Sequence, residues 1–218
     1  MRFSAAWSAA LAGDQDAVEV LKLFIMRQSS FSEKALNLTL RRMERNSALS
    51  FHKELSISPD TIPLAVIGAG IIGDTVLVPW LLEQMRNADL ARAAGEAFSM
   101  ITGVDIAVAE MEDARPEGYD AGPNDAPEDC NVAMDPHEDL PWPDFEQTTA
   151  WWNKTKGSYQ NGVRHLHGKP ITEGHLQYVL KTCGHRNRAA AALELAMMKP
   201  GQPLYEVRAP ASRQAREA

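Results

Sequence analysis

Leu64-Ala65-Val66-Ile67-Gly68-Ala69-Gly70-Ile71-Ile72-Gly73-Asp74 admits two incompatible readings, and the choice between them sets the fold class. Read as an apolar strand running into G-x-G-x-x-G, it opens a dinucleotide-binding βαβ unit. That mechanism needs a second strand about twenty residues on, ending in an acid that holds a ribose. Asp89 sits at that distance, but Arg86-Asn87-Ala88 before it makes no strand, and Leu90, Ala94, Ala97, Phe98 and Ile101 after it repeat at helical spacing. Read instead as a helix with Ile62, Ala65, Val66, Ala69 and Ile72 on its faces, the stretch ends at Gly73, and Asp74 caps the next helix. Pro79 then lies near the first turn of that helix, where a missing N–H costs least. The helical reading accounts for more residues.

The same periodicity covers the first hundred residues. Val18, Leu21 and Ile25 form one apolar stripe, Leu36, Leu40 and Met43 another, and Val78, Leu81, Leu82 and Met85 a third. Phe3, Trp7 and Leu11 are spaced by four, which makes the N-terminus an amphipathic helix rather than the dense apolar core of a signal peptide. Polar residues such as Glu83, Arg86, Arg92 and Glu96 fill the outer faces. Breaks at Gly13-Asp14, Asn46-Ser47, Asp60, Gly73-Asp74 and Asp89 supply terminators and caps. Gly13-Asp14 precedes Val18 and Leu21 just as Gly73-Asp74 precedes Val78 and Leu81, an offset of 60 residues. Short paired helices at half that period imply an all-α chain built as an α-solenoid.

The 218 residues carry 22 Lys and Arg against 29 Asp and Glu, but the charge is unevenly spread. From Asp105 to Glu146 there are 14 acidic residues and one basic residue, Arg115, so the rest of the chain is net basic. The segment holds six prolines and is expected to be a long loop, a kind of segment that is usually functional or disordered. Leu140-Pro141-Trp142-Pro143 pairs a stiff backbone with an aromatic ring, which favours docking. Clustered carboxylates beside a Trp suit a basic protein surface. Helical pattern resumes at Phe145, Thr149 and Trp152, again at Leu176, Val179, Leu180 and Cys183, and in the run Arg188 to Met198; Leu204 to Val207 reads as a short extended segment. Trp151 and Trp152 are neighbours on one helix, so one of them is expected outside the core.

Other reactive chemistry is sparse. Cys130 and Cys183 make no disulfide framework, which points to a reducing compartment, and Cys183 falls on an apolar stripe. His165, His167, His175, Cys183 and His185 match no usual zinc pairing, and the acidic segment lacks the alternating oxygens and central glycine of an EF-hand loop. No nucleophile and base can be paired. The expectation is a non-enzyme with no cofactor and no metal. No apolar run approaches the length of a bilayer span.

Ile71-Ile72-Gly73-Asp74-Thr75-Val76-Leu77-Val78-Pro79-Trp80-Leu81-Leu82, a Gly-Asp break followed by an apolar, Pro-containing helix, resembles a bacterial HEAT-like repeat family. Leu90 to Asp105, Pro116 to Tyr119, Asp135 to Asp144 and Tyr205 to Pro210 make the chain similar, more specifically, to a family encoded beside type VI secretion spike genes, whose longer members carry more N-terminal repeats. The resemblance implies HEAT-like helical repeats over 1–103, an acidic Pro-containing loop over 104–144 and a C-terminal helical subdomain over 145–218 packed on the repeats. It implies a cytoplasmic immunity protein that neutralises a spike-associated nuclease, a DNase toxin. The expected partner is that nuclease's basic surface, with no direct nucleic acid and no membrane. The residues expected to meet it are Asp120, Asp125, Glu128, Asp129, Asp135, Glu138, Asp139, Trp142 and Asp144. An adaptor that loads effectors onto the secretion spike and a HEAT-like DNA-processing enzyme are the alternatives.

Overall fold

A computed structural model describes residues 2–119, 128 and 134–209. The glycine-bearing stretch is a helix, α5 (Ile62–Ile72), buried along almost its whole circumference. A helix apolar all round must sit inside the protein. It packs between α3 (Ser32–Arg42) and α7 (Ala88–Thr102), and its glycines explain how closely. A Cβ on Gly68 would stand 3.1 Å from Leu40 Cδ1, and one on Gly70 would stand 3.0 Å from the Ala97 Cα. The glycines that mimic a phosphate loop are spacers for helix packing.

Ahead of this centre stand α1 (Arg2–Ala12), α2 (Gln15–Met26) and, after α3, α4 (Arg45–Leu55); α6 (Val78–Gln84) lies between α5 and α7. Neighbouring helices pack in turn, α1 on α2, α2 on α3, α4 on α5 and α6 on α7. Both Gly-Asp breaks work as the sequence requires. Gly13 has φ 109°, and Asp14 accepts from the Asp16 and Ala17 amides at 2.9 and 3.2 Å. Gly73 ends α5 with φ 71°, and Asp74 accepts from the Val76 amide at 3.0 Å, starting a single 3₁₀ turn, Thr75–Leu77.

Gly73 is also held by the C-terminal part of the chain. The His165 amide donates to the Gly73 carbonyl at 2.7 Å, and a Cβ on Gly73 would meet the His165 oxygen at 2.3 Å. Gly73→Ala therefore combines a left-handed backbone with a clash against main chain. It is expected to lower unfolding stability by at least about 1–2 kcal/mol from backbone strain alone, measurable by urea denaturation.

Beyond α7 the acidic segment is less irregular than its composition suggests. β1 (Glu112–Asp113) pairs antiparallel with β2 (Trp142–Pro143), closing the excursion at its base. Then come α8 (Phe145–Thr155), a hairpin of β3 (His165–Leu166) and β4 (Lys169–Pro170), and the packed pair α9 (Glu173–Thr182) and α10 (His185–Met198). The hairpin turns at His167 and Gly168, both at positive φ, the geometry that a tight two-residue turn demands. Leu204 to Val207 forms no strand.

One core runs from Phe3 to Trp152 and includes Ile106 and Met111 of the acidic segment. A smaller cluster of Leu166, Leu176, Val179, Ala190 and Ala191, with Cys183 at its edge, packs against Met100 of α7. The tryptophan pair behaves differently from expectation. Trp152 is buried and Trp151 half-buried, and both rings meet Phe98, at 5.7 Å for Trp151 and 6.4 Å for Trp152. A large ring in the opposing helix lets two adjacent positions share one core.

His52, on the inner face of α4, is buried against Trp80, with ring centroids 4.7 Å apart. Burial pushes its pKa down to about 4, against the opposing pull of a hydrogen bond to the Ala65 backbone. An unfolded chain, with an ordinary histidine near 6.5, binds the extra proton throughout the window between. Stability is thus full above about pH 6.5 and falls as pH drops toward 4, by an amount on the order of 3 kcal/mol. Burial depresses His137, His165 and His167 in the same direction. Urea midpoints from pH 4 to 7 should show this slope, and His52→Leu should flatten part of it.

Candidate functional site: an acidic face clamped to the helices

The acidic segment is organised by Arg92, a helix α7 residue whose spacing alone gives it no special role. Its side chain is only 8% exposed. The guanidinium pairs with Asp135, donates to the His137 carbonyl at 2.8 Å, and reaches the Tyr119 hydroxyl at 3.4 Å. It also lies 4.5 Å from the Trp142 ring centroid and 5.5 Å from that of Tyr119, while the two rings meet edge to face at 4.9 Å. One cation thus gathers both arms of the segment, since a desolvated guanidinium is strongly attracted to a carboxylate and to aromatic faces together.

Further ties fix the ends. The Asp144 amide donates to the Met111 carbonyl at 2.8 Å, and Arg115 Nε donates to the Tyr119 carbonyl at 3.0 Å. Pro143 packs on α7 at Gly95, where a Cβ would approach its ring to 3.4 Å. Arg186 of α10 reaches over to Asp139 at 2.7 Å.

These ties sort the expected contact residues into two groups. Asp135, Trp142 and Asp144 have partners within the chain. Asp135 is 9% exposed; burial raises its pKa, but the His137 amide and Arg92 outweigh that and hold it below the usual carboxylate range. Trp142 is half-buried in the Arg92 cluster. Asp144 caps α8 by accepting from the Gln147 amide at 2.9 Å, and that bond draws its pKa down. Glu128, Glu138 and Asp139 are exposed, Asp139 despite its bond to Arg186. Asp120, Asp125 and Asp129 lie outside the described residues.

The exposed carboxylates that spacing did not single out are Asp105, Glu110, Glu112, Asp113, Glu117 and Glu146. Together with Glu128, Glu138 and Asp139 they leave the described part of the segment negative toward solvent, while the Tyr119 and Trp142 rings are taken up by Arg92. Such a face attracts cations and basic surfaces and repels polyanions.

The histidine and cysteine set behaves as structure. His175 Nε2 lies 2.7 Å from the Leu166 carbonyl, His165 is buried facing the Tyr159 ring, and Cys183 ends α9. Among the described residues no three His, Cys, Asp or Glu side chains are placed to share a metal ion, and no helix is long and apolar enough to cross a membrane. No family model, no curated protein and no solved structure matches the chain.

Proposed function

We propose that the chain is an immunity protein, a short HEAT-like α-solenoid whose acidic face binds and neutralises a cognate nuclease toxin of a type VI secretion system in the cytoplasm. The observation that carries this reading is a set of exposed carboxylates in a segment whose described part is bonded to α7 through Asp135 and to α10 through Asp139. A nuclease must present cations to bind phosphates, and a preformed negative surface competes for those cations. Pre-ordering favours the competition, because less conformational entropy is lost on docking. The solenoid reading draws support from the two Gly-Asp breaks and from the packing of α1 on α2, α2 on α3, α4 on α5 and α6 on α7.

The reading predicts that a gene adjacent to this chain's encodes a nuclease, and the test is rescue of cells that express that nuclease. Wild-type protein is expected to restore growth. A Glu112→Gln, Glu117→Gln, Glu128→Gln and Glu138→Gln variant, which keeps every internal tie described above, is expected to need markedly higher expression. An effector-loading adaptor would bind without restoring growth, and equal rescue by wild type and variant would rule out the acidic face as the binding surface.

A further inference from the structure

α6 and α8 diverge to leave a cleft of about 640 Å³, within the range that holds small ligands. Its apolar lining is Val76 and Pro79, both exposed, with Leu82 and the edge of Trp152, 5% and 7% exposed. The rest of the lining is polar. It includes Arg45, bonded at 2.6 Å to Asp74, whose carboxylate is 1% exposed. Asn153 of α8, Lys156 at the start of the 3₁₀ turn that follows it, and Asn161 of the loop beyond also line the cleft.

The charges around the cleft can be balanced in pairs. Asp74 pairs with Arg45, and Glu83, also on the lining, pairs at 3.4 Å with Arg86 outside it. Lys156 donates at 2.9 Å to the neutral Asn153 Oδ1, and among the described residues no carboxylate lies within 4.0 Å of it. Thr149, also on the lining, has a buried Oγ1 with no hydrogen-bond partner among the described residues. The cleft therefore combines an apolar lining, two amides that both donate and accept, and one cation lacking a counter-charge.

We propose that this cleft binds a small monocarboxylate with an apolar body, the carboxylate at Lys156 and Arg45 and the body on Pro79, Leu82 and Trp152. The site lies on elements other than the acidic segment and does not depend on the toxin reading. Indole-3-acetate and its uncharged counterpart indole-3-acetamide are suitable probes for the full chain. Titration is followed through the Trp152 indole N–H by NMR. The acid is expected to give a saturable shift, with the amide binding about tenfold more weakly, the worth of one charge-assisted hydrogen bond. Lys156→Gln, at an exposed position, should weaken the acid by a similar factor, and Lys156→Arg should restore it. The absence of a saturable shift, equal binding of acid and amide, or unchanged affinity in Lys156→Gln would each overturn the proposal.

Discussion

Arg92→Ala is expected to release the acidic segment from the helices at a cost of about 3–5 kcal/mol, the size seen when one partner of a buried ion pair is removed. Among the described residues the guanidinium is the only group that touches Asp135, the His137 carbonyl, Tyr119 and Trp142 at once. Without it the Asp135 carboxylate is left in a site that disfavours charge, and two aromatic rings lose the cation that holds them, a contact worth about 0.5–2 kcal/mol by itself. Because the segment can detach without unfolding the helices, the most direct readout is local. Exchange of the Asp144 amide, bonded to Met111, should accelerate by at least about a hundredfold. Arg92→Lys should recover only part of the protection, since an ammonium cannot match the planar fork. Unchanged exchange in Arg92→Ala would show that the segment is held by other contacts.

Glu194→Ala is expected to destabilise the whole molecule by a similar amount, about 3–5 kcal/mol. Glu194, on α10, is 6% exposed and joins two cations: Arg41 of α3 at 3.1 Å and Arg164 at 2.6 Å. Arg164 in turn donates to the Ile72 and Ile71 carbonyls at the C-terminal end of α5, at 3.1 and 3.3 Å. Burial, then the nearby Arg164, push the Arg41 pKa down to about 10 against the pull of Glu194, so it stays charged at neutral pH. Removing the carboxylate strands two positive charges in the interior, and the elements they join span most of the chain. Urea unfolding should therefore show one cooperative transition shifted to lower denaturant. The double variant Arg41→Met, Glu194→Leu should recover part of the loss, because it removes the fully buried cation and leaves only Arg164, whose side chain is 26% exposed and reaches water. A single variant as stable as wild type would mean that water reaches the network.

The fold was legible wherever one local signal outweighed its rival. The run from Leu64 to Gly73 carries a nucleotide fingerprint, yet the helix-breaking Gly73 and the capping Asp74 settled it, and the glycines turned out to serve Leu40 and Ala97. What stayed hidden was long-range. Arg92 lies 43 residues from Asp135 and Arg164 lies 30 from Glu194, and no periodicity in a single sequence couples such positions. For Trp142 the clue was compositional. An aromatic ring in a segment so rich in carboxylates needs either an outside partner or an inside cation, and Arg92 is the inside cation. The hairpin at His167-Gly168 carried a readable turn signal, overshadowed by the histidines around it. Asp144 is the plainest lesson about acidic stretches, since an acid just before Phe145 and the resumed helical pattern is a cap as well as a charge.

Whether the acidic face steers a basic partner can be read from rapid-mixing association of the purified chain with the proposed nuclease partner at two ionic strengths. Steering predicts a rate far above the roughly 10⁵–10⁶ M⁻¹s⁻¹ of unsteered docking at low salt. That rate should drop steeply as salt rises, and it should be slowed by Glu112→Gln, Glu117→Gln, Glu128→Gln and Glu138→Gln. Association that ignores both salt and these substitutions would contradict a role for the acidic face.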